Sequence, residues 1–261
     1  MKLKMYQVDA FTDKLFTGNP AAVVILESSL NDNEMQSIAF ENNLSETAFV
    51  SIYESPIYIR WFTPSIEVDL CGHATLASAF VYFNYINTEK DAIEFKSNGG
   101  MLIVNKKDNI LELDFPKDTF IKTNHEDAVC NAIGLKPTET YKGQINLMAV
   151  YENEEEILNL QPDFKKVIDL TGQGLIVTAP GLHHDFVSRY FCPKYGINED
   201  PVTGSAHTTL IPYWSDKLGS KKLLAKQVST RGGELFCENK DERVLIGGNA
   251  VLYMKGNINI S

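Results

Sequence analysis

Apolar and polar residues alternate along this chain in short blocks that predict strands, and a few longer blocks predict helices. Residues 23–26 and 57–62 are short runs rich in β-branched and aromatic side chains, which favours strands. The block at residues 72–85 differs because it is apolar on nearly every side. A helix without a polar face has to be enclosed by other elements. The pattern therefore predicts a central helix surrounded by strands.

The second half of the chain repeats this order of elements. Strands are predicted at residues 174–178 and 185–191, and a second central helix begins at Gly204. Pro212 is expected to bend or end that helix after about two turns, because proline lacks the amide hydrogen that an interior position donates. The prediction is an α+β fold of two pseudo-symmetric domains, each a barrel-like, mostly antiparallel sheet around a central helix.

A repeated motif supports two equivalent domains. Residues 60–64 (RWFTP) return half a chain later as residues 189–193 (RYFCP). A repeat of this length is too long for a solenoid, and each half is large enough to bury a core of its own. We expect domains at residues 1–120 and 121–261. The path of the last strand stays open between the second domain and a return to the first.

Charge and composition narrow the class of protein. The chain carries 24 Lys and Arg against 34 Asp and Glu, a net charge of −10, which argues against nucleic acid and anionic membranes as partners. No apolar run is long enough to span a bilayer, and the N-terminus has no signal-peptide core. Four scattered cysteines without a CxxC pair indicate a reduced protein. We therefore expect a cytoplasmic location.

The sequence offers no metal motif, and we expect no metal. His183 and His184 are adjacent, so in a strand they point to opposite faces and do not readily chelate one ion. Ser205 and His207 lack the spacing of a hydrolase nucleophile elbow.

Glu46 is the strongest candidate for a general acid or base. The period of a strand places Glu46, Ala48 and Val50 on one face. The segment 46–48 (ETA) is echoed by residues 177–179 (VTA), with Val177 in place of Glu46, so we expect this position to point inward. A carboxyl group there would be poorly hydrated and basic enough to move a proton at neutral pH. A glutamate at the edge or on the surface of a strand is the structural alternative.

Each predicted central helix begins with a glycine followed by small residues. Such a start presents backbone N–H groups that suit a carboxylate. The alternative is that the glycines only permit close packing of helix on sheet, and that the serine of the second start only caps its helix. The candidate substrate-binding residues are Gly72, Ala74, Thr203, Gly204 and Ser205.

His73 and Asp200 complete the candidate catalytic set. His73 lies in the first turn of its helix, where the dipole disfavours a charged ring, so we expect a neutral imidazole that donates a hydrogen bond or relays a proton. A histidine satisfied by a backbone carbonyl is the alternative. Asp200 either orients a substrate amine or hydroxyl or braces its loop. Aligning the helix starts places Cys71 opposite Thr203, which excludes a racemase with two thiols.

Together these segments resemble the phenazine-biosynthesis isomerase (PhzF-like) family, whose fold is related to that of diaminopimelate epimerase. The resemblance extends nearly from end to end, and no departure is seen at the family's functional positions. The matching segments are residues 8–12 (VDAFT), 18–23 (GNPAAV), 43–49 (NLSETAF), 60–64 (RWFTP), 68–76 (VDLCGHATL), 199–207 (EDPVTGSAH), 231–233 (RGG) and 246–251 (IGGNAV).

The resemblance implies a site in a cleft between two domains, and proton transfer without a cofactor. In the family's named member the substrate is a dihydro-hydroxyanthranilic acid, and a proton moves between ring carbons to give a ketone. The family's catalytic glutamate corresponds to Glu46. Its substrate-contacting histidine, aspartate and serine correspond to His73, Asp200 and Ser205. Family members often pair as homodimers.

We therefore predict a cofactor-independent isomerase that moves a proton between carbons of a small carboxylate-bearing substrate. The activity would be similar to that of trans-2,3-dihydro-3-hydroxyanthranilate isomerase. Two alternatives stay open. One is an amino-acid racemase or epimerase that uses Glu46 and Cys71 as unlike bases, and the other is a catalytically silent protein that binds small acids.

Overall fold

The fold consists mainly of strands, with helices set between them. It is seen in a computed structural model that describes residues 1–260. The strands are β1 (Lys2–Ala10), β2 (Asn19–Leu26), β3 (Glu46–Ser51), β4 (Ile57–Phe62), β5 (Glu67–Val68), β6 (Ala92–Ser97), β7 (Gly100–Lys107), β8 (Ile110–Pro116), β9 (Ile121–Thr123), β10 (Glu139–Lys142), β11 (Leu147–Val150), β12 (Leu175–Pro180), β13 (Phe186–Phe191), β14 (Lys222–Gln227), β15 (Gly233–Lys240), β16 (Arg243–Gly248) and β17 (Ala250–Asn259). The α-helices are α1 (Asp32–Asn42), α2 (Gly72–Val81), α3 (Glu126–Ile133), α4 (Glu154–Asn159), α5 (Phe164–Asp169) and α6 (Gly204–Leu218). None of the helices in the described range is both long and apolar enough to cross a bilayer.

The chain divides into two compact units. Unit 1 comprises Met1–Asp114 and the chain from Gly247 onward, and unit 2 comprises Phe115–Ile246. In unit 1 the hydrogen-bonded order of strands is β17-β1-β2-β3-β4-β6-β7-β8, and β5 also pairs with β4. In unit 2 the order is β9-β10-β11-β12-β13-β14-β15.

Both units show the same pattern of strand pairing. From β1–β2 to β6–β7, the pairings in unit 1 run antiparallel, parallel, antiparallel, parallel and antiparallel. The pairings from β10–β11 to β14–β15 in unit 2 follow the same sequence. The predicted pseudo-symmetric, mostly antiparallel sheets are therefore confirmed.

Helix α2 is the central helix of unit 1. Every residue from His73 to Ala79 is buried, and so is Val81. The helix packs against β1, β2, β3 and β17, and its small side chains allow the strands to approach closely. Leu76 is fully buried, which stabilises the folded state by about 1.5–3 kcal/mol. The helix surface that is apolar on nearly every side is thus enclosed, as the sequence predicts.

Helix α6 runs through Pro212, so the helix does not end there, and of the two expected outcomes, a bend or an end, the end is wrong. Proline cannot donate to the carbonyl four residues earlier, which is that of Thr208. In unit 2 the backbone N–H of Asp118 donates to this carbonyl at 3.2 Å. The Asp118 carboxylate also accepts a hydrogen bond of 2.7 Å from the Thr209 hydroxyl. A segment outside the helix therefore satisfies the group that proline leaves open, and the helix continues.

The repeated motif forms a bidentate ion pair in each unit. Arg60 on β4 donates to both carboxylate oxygens of Glu67 at 2.7 Å. Arg189 on β13 donates to both oxygens of Glu199 at 2.8 and 2.9 Å. Each guanidinium also lies over the phenylalanine ring two positions along its strand, at 5.1 and 4.9 Å. Since the two glutamates lie on the segments that lead to α2 and α6, the motif braces both helix starts.

Candidate active site

The register of the sheets corrects the alignment of Glu46 with the second half. The arginine of the repeated motif lies opposite Phe49 in the β3–β4 pair and opposite Val177 in the β12–β13 pair. Val177 therefore corresponds to Phe49, and the counterpart of Glu46 is Gly174, just before β12. The predicted equivalence is wrong by three residues. Two shared residues are too few to define the register of a strand. The hydrogen bonds to the neighbouring strands define it instead.

Glu46 nevertheless lies in a largely enclosed place at the start of β3. Its side chain is 18% exposed, and its Oε2 lies 3.1 Å from Nε2 of His73. Strand β3 pairs with β2 on one side and β4 on the other, so it is not an edge strand. The edge-strand alternative is therefore excluded. The match with Val177, from which an inward carboxyl group was expected, is nevertheless wrong and gives no support to that orientation.

His73 is in contact with side chains at both ring nitrogens. Besides the Glu46 contact at Nε2, its Nδ1 lies 3.1 Å from Nδ2 of Asn19 and 3.5 Å from Sγ of Cys71. The residue is only 5% exposed. These contacts join the starts of β2, β3 and α2, which are far apart in the sequence.

The protonation of this group differs from the prediction. Burial acts to lower the pKa of His73, but the neighbouring Cys71 and Glu46 outweigh it, and the net direction is upward. Burial and the charge of Glu46 raise the pKa of Cys71 to about 11. At neutral pH Cys71 is therefore a thiol, and Glu46 is the acidic partner of His73. This direction is opposite to the one expected from the helix dipole, because Cys71 and Glu46 act on the ring as well.

The starts of α2 and α6 are equivalent, as the alignment of the two glycines predicts. Cys71 and Thr203 are the N-cap residues, and within the described residues neither side chain makes a capping hydrogen bond. Because neither N-cap side chain accepts from them, the backbone N–H groups of both first turns are available to bind an anion. Ser205 is the second residue of α6 and is exposed, so it is not the cap. Threonine therefore occupies the position where a racemase with two thiols would need its second cysteine.

A buried network holds the Asp200 loop in unit 2. Asp200 is 8% exposed, and its carboxylate accepts a short hydrogen bond from the Thr203 hydroxyl. Gln227 is fully buried; it accepts from the Thr203 N–H at 2.8 Å and donates to the Asp200 carbonyl at 2.7 Å. The carboxylate of Asp200 therefore braces its own loop, which is one of the two roles expected of it.

His207 in α6 differs from His73 in its charge. Its Nδ1 donates to the Thr203 carbonyl at 2.8 Å, and the ring is fully buried. Burial lowers the pKa of His207 to about 4. The ring is therefore neutral near pH 7 and serves to anchor the first turn of its helix.

The predicted site residues form one group in each unit. The group in unit 1 consists of Glu46, Gly72, His73 and Ala74. The group in unit 2 consists of Asp200, Thr203, Gly204 and Ser205.

Two buried polar residues were missed as site residues. Asn19 begins β2 and contacts His73, and Gln227 ends β14 and holds the Asp200 loop. Both are fully buried. The one signal in the sequence was a polar residue at the end of an otherwise apolar strand, which is too common to single them out.

Three side chains of unit 1 bring possible metal-ligand atoms close together. Ligand atoms of Glu46, Cys71 and His73 lie within 4.8 Å of one another. No single stretch of sequence carries this set, since β3 supplies one member and the start of α2 supplies two.

The chain matches one family over nearly its whole length. The profile of the phenazine biosynthesis-like protein family (PhzC-PhzF) matches residues 8–256. An uncharacterized isomerase of Pseudomonas aeruginosa is 48% identical over 261 residues, which is 100% of either chain. The crystal structure of a PhzF-family phenazine biosynthesis protein from Enterococcus faecalis has a TM-score of 0.97 at 49% identity and covers 100% of both chains.

The fold extends to a more distant protein. The structure of a predicted epimerase from Pseudomonas aeruginosa has a TM-score of 0.77 at 19% identity, over 99% of this chain and 100% of that one. This likeness concerns the fold alone, and it confirms the predicted epimerase-like class. With the profile match and the two near relatives, the chain belongs to the phenazine biosynthesis-like (PhzC-PhzF) family.

Proposed function

We propose that the protein is an isomerase that moves a proton between carbons of a small carboxylate-bearing substrate, with Glu46 as the general acid and base. The observation that carries this proposal is the contact of 3.1 Å between the Glu46 carboxylate and the His73 ring at the start of α2. Carboxyl groups with little exposure beside a titratable partner are typical of proton-transfer sites. The isomerase name of the Pseudomonas aeruginosa relative supports the reaction class.

Glu46 carries the proton in both directions. Its carboxylate takes a proton from a carbon next to an unsaturated group, and the electron pair of the broken C–H bond moves into that conjugated system. The carboxyl group then returns the proton at another carbon of the same face. One base suffices, no proton is gained or lost overall, and no cofactor is needed for a pure proton transfer.

His73 stabilises the charge that develops. Its pKa lies above the ordinary value, because the effect of Cys71 and Glu46 exceeds that of burial, so the ring is available as a cation and a hydrogen-bond donor. A cation next to a developing anion lowers the energy of the transition state most where water is excluded.

The helix starts supply the positive potential that an anionic substrate needs. The net charge of −10 repels an anion at long range, so binding depends on local donors. Backbone N–H groups at a helix N-terminus are such donors. We assign this role to Gly72 and Ala74 in unit 1 and to Thr203, Gly204 and Ser205 in unit 2.

Asp200 is proposed to orient an amine or hydroxyl of the substrate. Its hydrogen bond from Thr203 and the contacts of Gln227 hold the carboxylate in one orientation, and a rigid acceptor selects a donor by position. Whether Asp200 acts on the same substrate as Glu46 is measured by a double-mutant cycle of Asp200→Asn and Glu46→Gln. Independent effects on kcat/KM would contradict a shared substrate.

A metabolite screen in deuterated water tests the function and identifies the substrate in the same experiment. A small-molecule extract is incubated with the wild type or with Glu46→Gln, and mass spectrometry reports compounds that gain deuterium at carbon. We expect labelled, isomerised carboxylic acids with the wild type alone. Labelling by neither protein, together with a ligand-induced thermal shift, would instead identify a silent small-acid binder.

One observation favours a second reaction, epimerisation with Glu46 and Cys71 as unlike acid and base. The Cys71 sulfur lies 3.5 Å from Nδ1 of His73, inside the same group. With a pKa of about 11, raised by burial and by Glu46, the thiol suits an acid better than a base near pH 7. Deuterium gain with inversion of configuration, lost in Cys71→Ser, would favour this reaction; isomerisation that survives Cys71→Ser would exclude it.

A further inference from the structure

Glu46, Cys71 and His73 place three kinds of ligand atom around one point in unit 1. Sγ of Cys71 lies 4.0 Å from Nε2 of His73, and Nε2 lies 3.1 Å from Oε2 of Glu46. A tetrahedral zinc ion with bonds of about 2.0–2.3 Å keeps its ligand atoms about 3.4–3.6 Å apart. The sulfur is nearer to Nδ1, at 3.5 Å, so the Cys71 side chain has to turn away from Nδ1 by roughly 1.5 Å before one ion on Nε2 can bind both atoms.

The chemistry of these ligands selects the type of metal. Thiolate and imidazole prefer zinc and its thiophilic neighbours, whereas magnesium and calcium require a shell of oxygen atoms. The charges of one carboxylate and one thiolate equal the two positive charges of the ion. A neutral assembly is favourable in a place where an isolated charge would be costly.

The surroundings of the ring complete the coordination. A metal at Nε2 leaves the proton of the ring on Nδ1, which needs an acceptor. The Asn19 amide is 3.1 Å from Nδ1, and with its oxygen turned to that side it accepts the proton. The 18% exposure of the Glu46 side chain provides access for the ion and for water as a fourth ligand.

We infer that Zn²⁺ binds Glu46, Cys71 and His73 and thereby inhibits proton transfer. On binding, the thiol proton of Cys71 and the proton on Nε2 are released to solvent, while the ring keeps its proton on Nδ1. A carboxylate that is bound to the ion cannot accept a proton from carbon. The inhibition rests on the proposed function, but the binding does not.

Cobalt titration tests the binding directly. Co²⁺ is the probe because a thiolate ligand gives it a charge-transfer absorption band. We expect one equivalent to bind to the wild-type protein, kept reduced by a phosphine, and Zn²⁺ to displace it. Cys71→Ser is expected to abolish the band and to weaken binding at least about tenfold, since loss of a ligand costs no less than loss of an outer contact. Cys130→Ser, at a partly exposed cysteine of unit 2, is the matched control and should keep the band.

The outcomes separate binding from catalysis. A wild-type titration without the band, a band that persists in Cys71→Ser, or a band that vanishes in Cys130→Ser overturns the inference. Circular dichroism checks the fold of each variant. If Cys71→Ser does not fold, Glu46→Gln takes its place, and unchanged cobalt affinity in that variant overturns the set of ligands. A rate of isomerisation that rises with Zn²⁺ overturns the inhibition, whereas failure to find any substrate leaves the cobalt result intact.

Discussion

Glu199 is the residue directly before Asp200, and Arg189 holds it with two hydrogen bonds of 2.8 and 2.9 Å. Nη1 of the same arginine donates to the carbonyls of Ile157 and Leu160 at 3.1 and 3.3 Å. One guanidinium thus ties the segment that carries Asp200 to the end of α4. A planar fork is required, because an ammonium group cannot reach both carboxylate oxygens and two carbonyls in this arrangement.

The replacement Arg189→Lys is therefore expected to destabilise unit 2. Loss of the fork leaves partly buried acceptors without donors, which lowers the free energy of unfolding by about 1–3 kcal/mol. Urea denaturation followed by circular dichroism measures the change. Lys4→Gln, which breaks an exposed pair with Glu27, is the control and should leave the midpoint unchanged. Equal midpoints for wild type and Arg189→Lys would contradict the bracing role of the repeated motif.

Gln227 is expected to position the Asp200 loop. In Gln227→Leu, the Thr203 N–H and the Asp200 carbonyl lose their partner in a buried place, so both stability and binding of substrate should suffer. We expect kcat/KM to fall about tenfold or more, which corresponds to about 1.4 kcal/mol. Gln227→Glu, which still accepts from the Thr203 N–H, should recover part of the loss. Gln144→Leu, at an exposed glutamine, is the control; a fall in kcat/KM as large as that of Gln227→Leu would refute the specific role.

His207 is expected to make stability depend on pH. Burial holds its pKa at about 4 in the folded chain, against an ordinary value of 6.5, so the unfolded chain takes up the proton first as the pH falls. The contribution of His207 to the free energy of unfolding should be at its maximum above pH 6.5. It should decrease by about 3 kcal/mol between pH 6.5 and 4. The pKa of His73 moves upward, so its contribution is constant below pH 6.5 and declines at higher pH.

Two variants separate this effect from general acid denaturation. His207→Asn keeps a donor for the Thr203 carbonyl but does not titrate, so its unfolding free energy should vary less over this range. His183→Asn, at an exposed histidine, should retain the wild-type dependence. Parallel curves for all three proteins in urea titrations at several pH values would show that His207 is not the responsible group.

Much of the fold could be predicted from local patterns. The helix that is apolar on nearly every side had to be enclosed, and α2 is. The repeated arginine motif indicated two equivalent halves, and the pairing of strands in the two units agrees. The local sequence could not show whether Pro212 bends or ends its helix, because the Asp118 N–H that satisfies the Thr208 carbonyl comes from a distant segment.

The candidate site shows the same limit. Glu46 stood out as a charged residue in an apolar strand, but its counterpart was misidentified, since a short echo does not define a register. The expectation for the pKa of His73 used its own helix alone, whereas Cys71 and Glu46, the second of which is brought in by β3, shift this pKa upward. Asn19 and Gln227 contact residues that are distant in the sequence, and no local sequence pattern predicts such contacts.

The central claim is that the Glu46 carboxylate transfers the proton, and the rate of hydrogen exchange at the reacting carbon tests it most directly. The substrate found in the metabolite screen is incubated in deuterated water with wild type, Glu46→Gln or Glu94→Gln, the last at an exposed glutamate of β6. We expect Glu46→Gln to keep the fold and to lose exchange by about 10²–10⁴-fold, because an amide cannot accept the proton. Glu94→Gln should exchange at the wild-type rate. Exchange at that same rate in Glu46→Gln would contradict the claim.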